Sequence, residues 1–328
     1  MSTLVSVVVP TYKRPELLER CLGALIAQSF PADAFEIVVA DDGPDEATRR
    51  LVREWALRTH GAPEIRYVPV NDSQGPAAAR NRGWEAADSP IIAFTDDDAV
   101  PRPDWLVEGC QVILASPKFL AATGRMAMPQ SREGASRTDS RDAATAAPDF
   151  ATANCFVRRS ALEAIGGFDE RFTLAGREDS DLQFTLMKSL RGEIVKAPRA
   201  LVDRPARRMS WADSLRAHHR ILFDALLFKK HPELYRERIG RAPPWSYYVI
   251  VAAIFGMMLG LVAGSDIAIA ICFAAWLVLT TRFTLKRLEG TTRTRGRMIE
   301  VVLESMATPP FAVFWRLMGA LRFRVLFL

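Results

Sequence analysis

The sequence predicts an α/β domain with a mainly parallel sheet, followed by α-helical membrane segments. Three observations carry this reading. Short β-branched runs alternate with helix-periodic segments through the first two hundred residues, Asp-rich clusters close two of those runs, and the C-terminal third holds two long apolar stretches. Repeated β–α units imply a sheet covered by helices on both faces. At 328 residues the chain can bury one large core or two ordinary ones.

The elements follow in order. Leu4–Val9 is a β-branched strand ending at Pro10, better suited to a buried strand than to the apolar core of a signal peptide. Pro15, a favourable first-turn residue, opens a helix through Leu18, Leu22, Leu25 and Ile26. Glu36–Ala40 is the next strand, stopped by the turn Asp41-Asp42-Gly43-Pro44. A helix carrying Leu51, Val52, Trp55 and Leu57 starts at Asp45 or Glu46, and Ile65–Val70 is a third strand. After Gln74-Gly75-Pro76 comes an Ala-rich helix ending near Ala87, and Ile91–Phe94 is a strand running into Thr95-Asp96-Asp97-Asp98. Met126 to Ala151 has no apolar period and reads as a long mobile loop, a kind of segment that often forms a lid. Order resumes with a strand near Asn154–Val157, a helix from Ser180 to Leu190 and a strand over Ile194–Val202.

Charge and hydropathy then change together. From Arg199 to Arg241 there are 11 Lys or Arg against 5 Asp or Glu. Such a stretch suits nucleic acid or anionic lipid, and the apolar run after it favours the membrane. Ser214 to Phe228 has helical apolar spacing (Leu215, Ile221, Leu222, Leu226), as for a basic amphipathic helix on lipid headgroups. His218-His219 fits an exposed face of that helix better than an acceptor-site pair.

Trp245 to Gly264 is a run of 20 uncharged residues, long enough to cross a hydrocarbon core of ~30 Å. Gly264-Ser265-Asp266 turns the chain, and a second span runs from Ile267 to Thr281, extended by Phe283 and Leu285 if Arg282 snorkels. Basic residues crowd both outer ends of this hairpin and are absent from its turn, so both ends are expected on the cytoplasmic side of an inner membrane. A buried hairpin in a soluble domain is the alternative. Gly256, Gly260 and Gly264 share one helix face, which allows close packing on Ala268, Ala270 or Ala274. Pro309-Pro310 is expected to break the tail into two pieces, more interfacial than spanning. The expected division is residues 1–205 for the catalytic domain, 206–243 for a basic juxtamembrane linker, 244–285 for the hairpin and 286–328 for the tail. The four cysteines have no metal-ligand or redox spacing and read as reduced core or membrane residues.

Three acidic sites carry the chemistry. Alternation places Asp96 and Asp98 on one side of a strand end and Asp97 on the other. Two converging carboxylates repel unless a cation lies between them, and Mg²⁺ or Mn²⁺, which would in turn hold a diphosphate, is the natural occupant. An Asp-rich turn is the bland alternative. Asp41-Asp42 is either a turn with a helix cap or a pair reading the base and ribose of a nucleotide. In Gly176-Arg177-Glu178-Asp179-Ser180-Asp181, Asp179 either caps the next helix or acts as a general base, with Arg177 and Glu178 setting its orientation and charge.

Read together, these blocks resemble a family 2 glycosyltransferase with the GT-A fold, a Rossmann-like mixed sheet, from Val5 to about Val202. Val7-Val8-Val9-Pro10-Thr11-Tyr12, Ile37 to Gly43, Gly75 to Gly83, Phe94 to Asp98 with Pro103-Asp104-Trp105-Leu106, Gly166-Gly167-Phe168-Asp169-Glu170 and Glu178-Asp179 stand in the family's order. The resemblance implies a donor pocket of Pro10, Thr11, Tyr12, Asp41, Asp42, Arg80, Asp96 and Asp97, with Asp42 meeting the base. It implies a Mg²⁺ or Mn²⁺ ion on Asp98, with Asp96 beside it, and a catalytic pair in which Asp179 is the base of a single displacement with inversion and Glu178 stands beside it. Many relatives carry a histidine after the last strand; here Ala200-Leu201-Val202-Asp203-Arg204-Pro205 stands in its place, and Asp203 is the candidate substitute. The Q-x-x-R-W motif of polymer synthases is absent, which favours addition of a single sugar. The expected partners are a nucleotide-sugar donor, a membrane-associated acceptor such as a polyprenyl phosphate, lipid-linked glycan or glycolipid, and the membrane, but no nucleic acid. A nucleotidyltransferase of related fold and a non-catalytic membrane scaffold are the other readings.

Overall fold

The computed structural model describes residues 3–127, 150–204, 217–240, 242–289 and 295–327, which fall into two compact units divided between residues 206 and 207. In the first unit the strands are β1 (Val5–Thr11), β2 (Phe35–Asp41), β3 (Glu64–Pro69), β4 (Ile91–Thr95), β5 (Val100–Pro101), β6 (Phe119–Ala127), β7 (Asn154–Arg158) and β8 (Glu193–Asp203). Its helices are α1 (Pro15–Ile26), α2 (Glu46–Arg58), α3 (Pro76–Ala86), α4 (Trp105–Leu114), α5 (Arg159–Ile165) and α6 (Glu178–Ser189).

One sheet runs β3-β2-β1-β4-β7-β6-β8-β5. The first four strands are parallel, and β7 enters antiparallel between β4 and β6. Both faces are covered, which explains why β1 and β2 read as apolar runs without alternation, interrupted near their starts only by the paired Ser6 and Glu36. Val5, Val7 and Val9 face one core with Leu18, Leu22 and Trp105, while Val8 faces the other with Trp84, Phe94 and Leu182. Gly83 lets α3 lie directly on β1, because a Cβ there would overlap the Val8 side chain. Neighbours of β1 lie to either side, β2 and β4, so a crevice opens at the carboxyl ends of these three strands.

The expected strands and helices of this unit are present, with ends shifted by one or two residues. Of the loop expected over Met126–Ala151, Met126 and Ala127 instead pair with Val202 and Asp203 as the end of β6. Residues 128–149 lie outside the described residues.

The second unit contains α7 (Leu222–Lys230), α8 (Pro232–Arg238), α9 (Trp245–Ala263), α10 (Asp266–Leu288) and α11 (Arg295–Phe323). Helices α9 and α10 are long and apolar enough to span a bilayer. Little of either is buried, and Phe255, Leu261, Val262, Ile267 and Ile271 are exposed, unlike a hairpin in a soluble core. Gly260 packs on Ala268 and Ile269, and Gly256 on Cys272. Gly264 instead takes the left-handed cap of α9, at φ 66°.

Two expectations for this unit are corrected. Helix α7 is not amphipathic: Leu222 through Leu227 are all buried, because Phe223, Ala225 and Leu227 fill the face that Leu222 and Leu226 leave. His219 stacks on Trp315, with ring centroids 4.0 Å apart. Residues 214–216 lie outside the described residues. The tail is one helix through Pro309 and Pro310. Buried residues on both sides of the pair, Val301 and Ser305 before and Ala312 and Val313 after, hold the two halves together despite the missing N–H donors.

Candidate active site

The carboxyl ends of β1, β2 and β4 place Thr11, Asp41 and Thr95 on one edge of the sheet. The reversed strand β7 starts at the same edge, with Asn154 paired to Thr95. The three acidic clusters and Thr152 gather around this edge.

Alternation beyond β4 is as the sequence indicates. Asp97 turns inward, is buried, accepts a hydrogen bond from Thr11 Oγ1 at 2.9 Å and lies 3.4 Å from the Arg14 guanidinium. Burial pushes its carboxyl up to about 6, against the pull of Arg14. Asp96 and Asp98 face the other way and converge on one cation, the guanidinium of Arg204. Arg204 Nε donates to Asp98 at 3.0 Å, and Nη2 donates to Asp98 and Asp96, each at 3.1 Å.

Asp96 continues the charge chain on its other oxygen. The buried Arg80 on α3 donates to Asp96 Oδ1 at 3.0 Å and to Glu178 Oε1 at 3.1 Å. Glu178 Oε2 accepts the backbone N–H groups of Gly176 and Arg177, at 2.6 and 2.9 Å. Both carboxylate oxygens of Glu178 are thus engaged, and its geometry suits holding Arg80 and the turn before α6.

Asp179, next along, is different. Its carboxylate accepts the Thr152 hydroxyl and, at 3.3 Å, the Thr152 backbone N–H. Burial, then the Glu178 charge, push its carboxyl up to about 7, with Arg80 and Thr152 acting in the opposite direction. A carboxylate poised there can take a proton near neutral pH.

On the other side of the crevice, Asp41 is fully buried. It accepts Tyr67 Oη at 2.9 Å and the N–H groups of Gly43 and Asp45, which makes it the organiser of its turn. Asp42 is half-buried and accepts the Gly75 N–H at 2.8 and 3.0 Å to its two oxygens. Burial raises its carboxyl above the ordinary value. Gly75 has φ 115°, and a Cβ there would run into the Thr173 carbonyl. Pro10 is half-buried at the end of β1, and Tyr12 is exposed with its ring against Gly43, the residue after Asp42.

Asn81 joins two sequence blocks: its side chain bonds the Phe168 carbonyl at 2.9 Å and N–H at 2.8 Å, and Glu170 at 3.0 Å. Asp203 does not join the Asp96–Asp98 pair. It forms a two-pronged ion pair with Arg102, both bonds at 3.0 Å, and its neighbour Arg204 is the residue that reaches the acids.

Two hard carboxylates converging on one point could hold a divalent ion such as Mg²⁺ or Mn²⁺; the cation between them in this structure is the Arg204 guanidinium. Among the described residues no third His, Cys, Asp or Glu completes a protein-only site. Water and diphosphate oxygens would supply the remaining ligands. Arg204 and Thr152 are the residues that sequence reasoning missed.

Residues 6–166 match the family model described as Glycosyl transferase family 2. The chain carries a family 2 glycosyltransferase domain. Over 179 residues it is 28% identical to glycosyltransferase AglE of Haloferax volcanii, covering 52% of this chain and 58% of that protein. Over 217 residues it is 30% identical to the succinoglycan biosynthesis protein ExoM of Rhizobium meliloti, covering 61% of this chain and 66% of ExoM. The chain thus spans little more than half the length of AglE. Its fold is similar to that of the mannosyltransferase PcManGT of Pyrobaculum calidifontis in complex with GDP-Man and Mn²⁺, at a TM-score of 0.55 and 22% identity, over 98% of this chain and 85% of that one. The family 2 domain has the mixed sheet of GT-A glycosyltransferases. Asp179 and Arg204 lie beyond the family model's match, so their placement at the site rests on geometry.

Proposed function

We propose that the protein is an inverting, metal-dependent glycosyltransferase that moves one sugar from a nucleotide-sugar donor to a membrane-associated acceptor at the cytoplasmic face. The observation that carries this is the position of the Asp179 carboxylate, held by Thr152 and set next to Glu178, whose ion pair with Arg80 leads to the Asp96–Asp98 pair. In the reaction, the acceptor hydroxyl gives its proton to Asp179 as its oxygen forms the new bond to the anomeric carbon. The bond from that carbon to the diphosphate breaks on the opposite side, and the nucleoside diphosphate departs with the electron pair. Asp98 and Asp96 would hold a Mg²⁺ or Mn²⁺ ion, whose charge offsets that of the departing diphosphate. Asp42 and the exposed ring of Tyr12 form the side suited to a nucleoside, and the Gly75 N–H fixes the Asp42 carboxylate.

A donor of this class is supported by PcManGT, whose structure contains GDP-Man and Mn²⁺. A glycan or lipid-linked acceptor is supported by the role of ExoM in succinoglycan biosynthesis and by the two helices able to span a membrane. The test is donor hydrolysis by detergent-purified protein across a panel of nucleotide sugars, with and without Mn²⁺. Metal-dependent release of one nucleoside diphosphate, lost in Asp98→Ala, is the expected result. Failure to bind any nucleotide would replace the proposal with the scaffold reading.

A further inference from the structure

Arg204 directly follows β8 and bonds three carboxylate oxygens, two on Asp98 and one on Asp96, at 3.0–3.1 Å. Its side chain remains 41% exposed, while those of Asp96 and Asp98 are 19% and 20% exposed. The acids are therefore largely withdrawn from water, and the cation that neutralises them lies on the open side. A two-pronged Arg–carboxylate pair is among the stronger charge-assisted contacts. It is also reversible, because an exposed guanidinium regains hydration when it leaves.

We propose that Arg204 is a built-in counter-cation that keeps the place of the divalent ion and yields it when a nucleoside diphosphate arrives. This rests on the reading of Asp96 and Asp98 as the metal-facing acids. A bare Mn²⁺ ion must compete with a tethered guanidinium already in position, and the displaced positive charge then has no partner. A diphosphate supplies that partner, since guanidinium pairs well with phosphate oxygens. Arg204 thereby makes metal affinity depend on the nucleotide, a coupling that must be reciprocal. It also prevents Asp96 and Asp98 from repelling each other in the resting protein. Asp203 plays no part in this device, because its carboxylate is held by Arg102, which directly follows β5.

The test is direct titration of full-length, detergent-purified protein with Mn²⁺, reading free ion by electron paramagnetic resonance, with and without GDP or UDP. Wild type should bind Mn²⁺ weakly alone and much more tightly with the nucleotide. In Arg204→Gln, binding of Mn²⁺ alone should strengthen by about tenfold, equivalent to losing one competing ion pair of ~1.4 kcal/mol. The added Asp98→Ala change should abolish that gain. Metal-free Arg204→Gln should melt below wild type and recover more on adding Mn²⁺. Equal Mn²⁺ affinity in wild type and Arg204→Gln would overturn the proposal. So would Mn²⁺-independent nucleotide binding that Arg204→Gln abolishes, since Arg204 would then be the permanent cation of the site. Failure of the transferase reading would instead appear as no nucleotide binding in any variant, leaving the metal-only comparison intact.

Discussion

Thr152 donates its hydroxyl hydrogen to Asp179, and its backbone N–H lies 3.3 Å from the second oxygen of the same carboxylate. These two contacts oppose the burial that raises the Asp179 carboxyl to about 7. Activity should therefore rise as pH increases through about 7, where Asp179 becomes the base. Asp179→Asn should lower kcat by roughly 10²–10⁴-fold while sparing donor binding. Thr152→Val should shift the acidic limb to higher pH. A profile unchanged in both variants would remove Asp179 from the mechanism.

The same shift carries a cost in stability. The folded protein holds the Asp179 proton more tightly than the unfolded chain does, so stability falls as pH rises from about 4, the ordinary carboxylate range, toward 7. Asp179→Asn should melt at a higher temperature than wild type at pH 8, and the gain should shrink toward pH 4. Thermal denaturation of both proteins across that range checks the sign.

Arg80 is buried between Asp96 and Glu178, and its loss leaves the Glu178 carboxylate buried without its cation. Arg80→Ala should cost about 3–5 kcal/mol, as for a broken buried pair. Denaturant unfolding in detergent would measure it. A loss below ~1 kcal/mol would mean that the chain from Asp96 to Glu178 is dispensable.

Gly75→Ala tests the far side of the crevice. At φ 115° the new Cβ meets the Thr173 carbonyl, and the N–H that fixes Asp42 must move. The expected cost is about 1–3 kcal/mol, accompanied by weaker nucleotide binding. Calorimetry with GDP and UDP reads the second effect separately from the first.

For the hairpin, membrane sidedness is the measurement. Ser265, at the turn between α9 and α10, should react as Ser265→Cys with an impermeant maleimide in intact cells. Glu289→Cys, at the other end of α10, should react only after lysis. The reverse pattern would place the glycosyltransferase domain on the outer face.

Much of this site was legible because strand periodicity fixes which way consecutive residues point. The opposite orientations of Asp96 and Asp97 follow from that rule alone. Arg204 was not legible: its partners are more than a hundred positions away, and nothing in Asp203-Arg204-Pro205 says which of two charged neighbours turns inward. Thr152 adjoins a stretch without periodicity, so its contact with Asp179 had no local signal. In the second unit, the spacing of Leu222 and Leu226 revealed a helix but not how many sides were covered, which depends on α11 packing against α7. The uninterrupted α11 shows tertiary contacts prevailing over the local effect of two prolines.

The insertion of β7 between β4 and β6 also sets a timetable. β1, β2, β3 and β4 come from the first third of the chain and can pair before the remaining strands have been made. The edge carrying Thr152 is brought beside Thr95 only when β7 enters, a pairing between distant stretches and hence slow to form. During synthesis the side of the crevice that carries Asp42 and Tyr12 can be in place while Asp179 is still absent. Under the proposed function, a nascent chain stalled before β7 would carry the donor side of the crevice and lack its base.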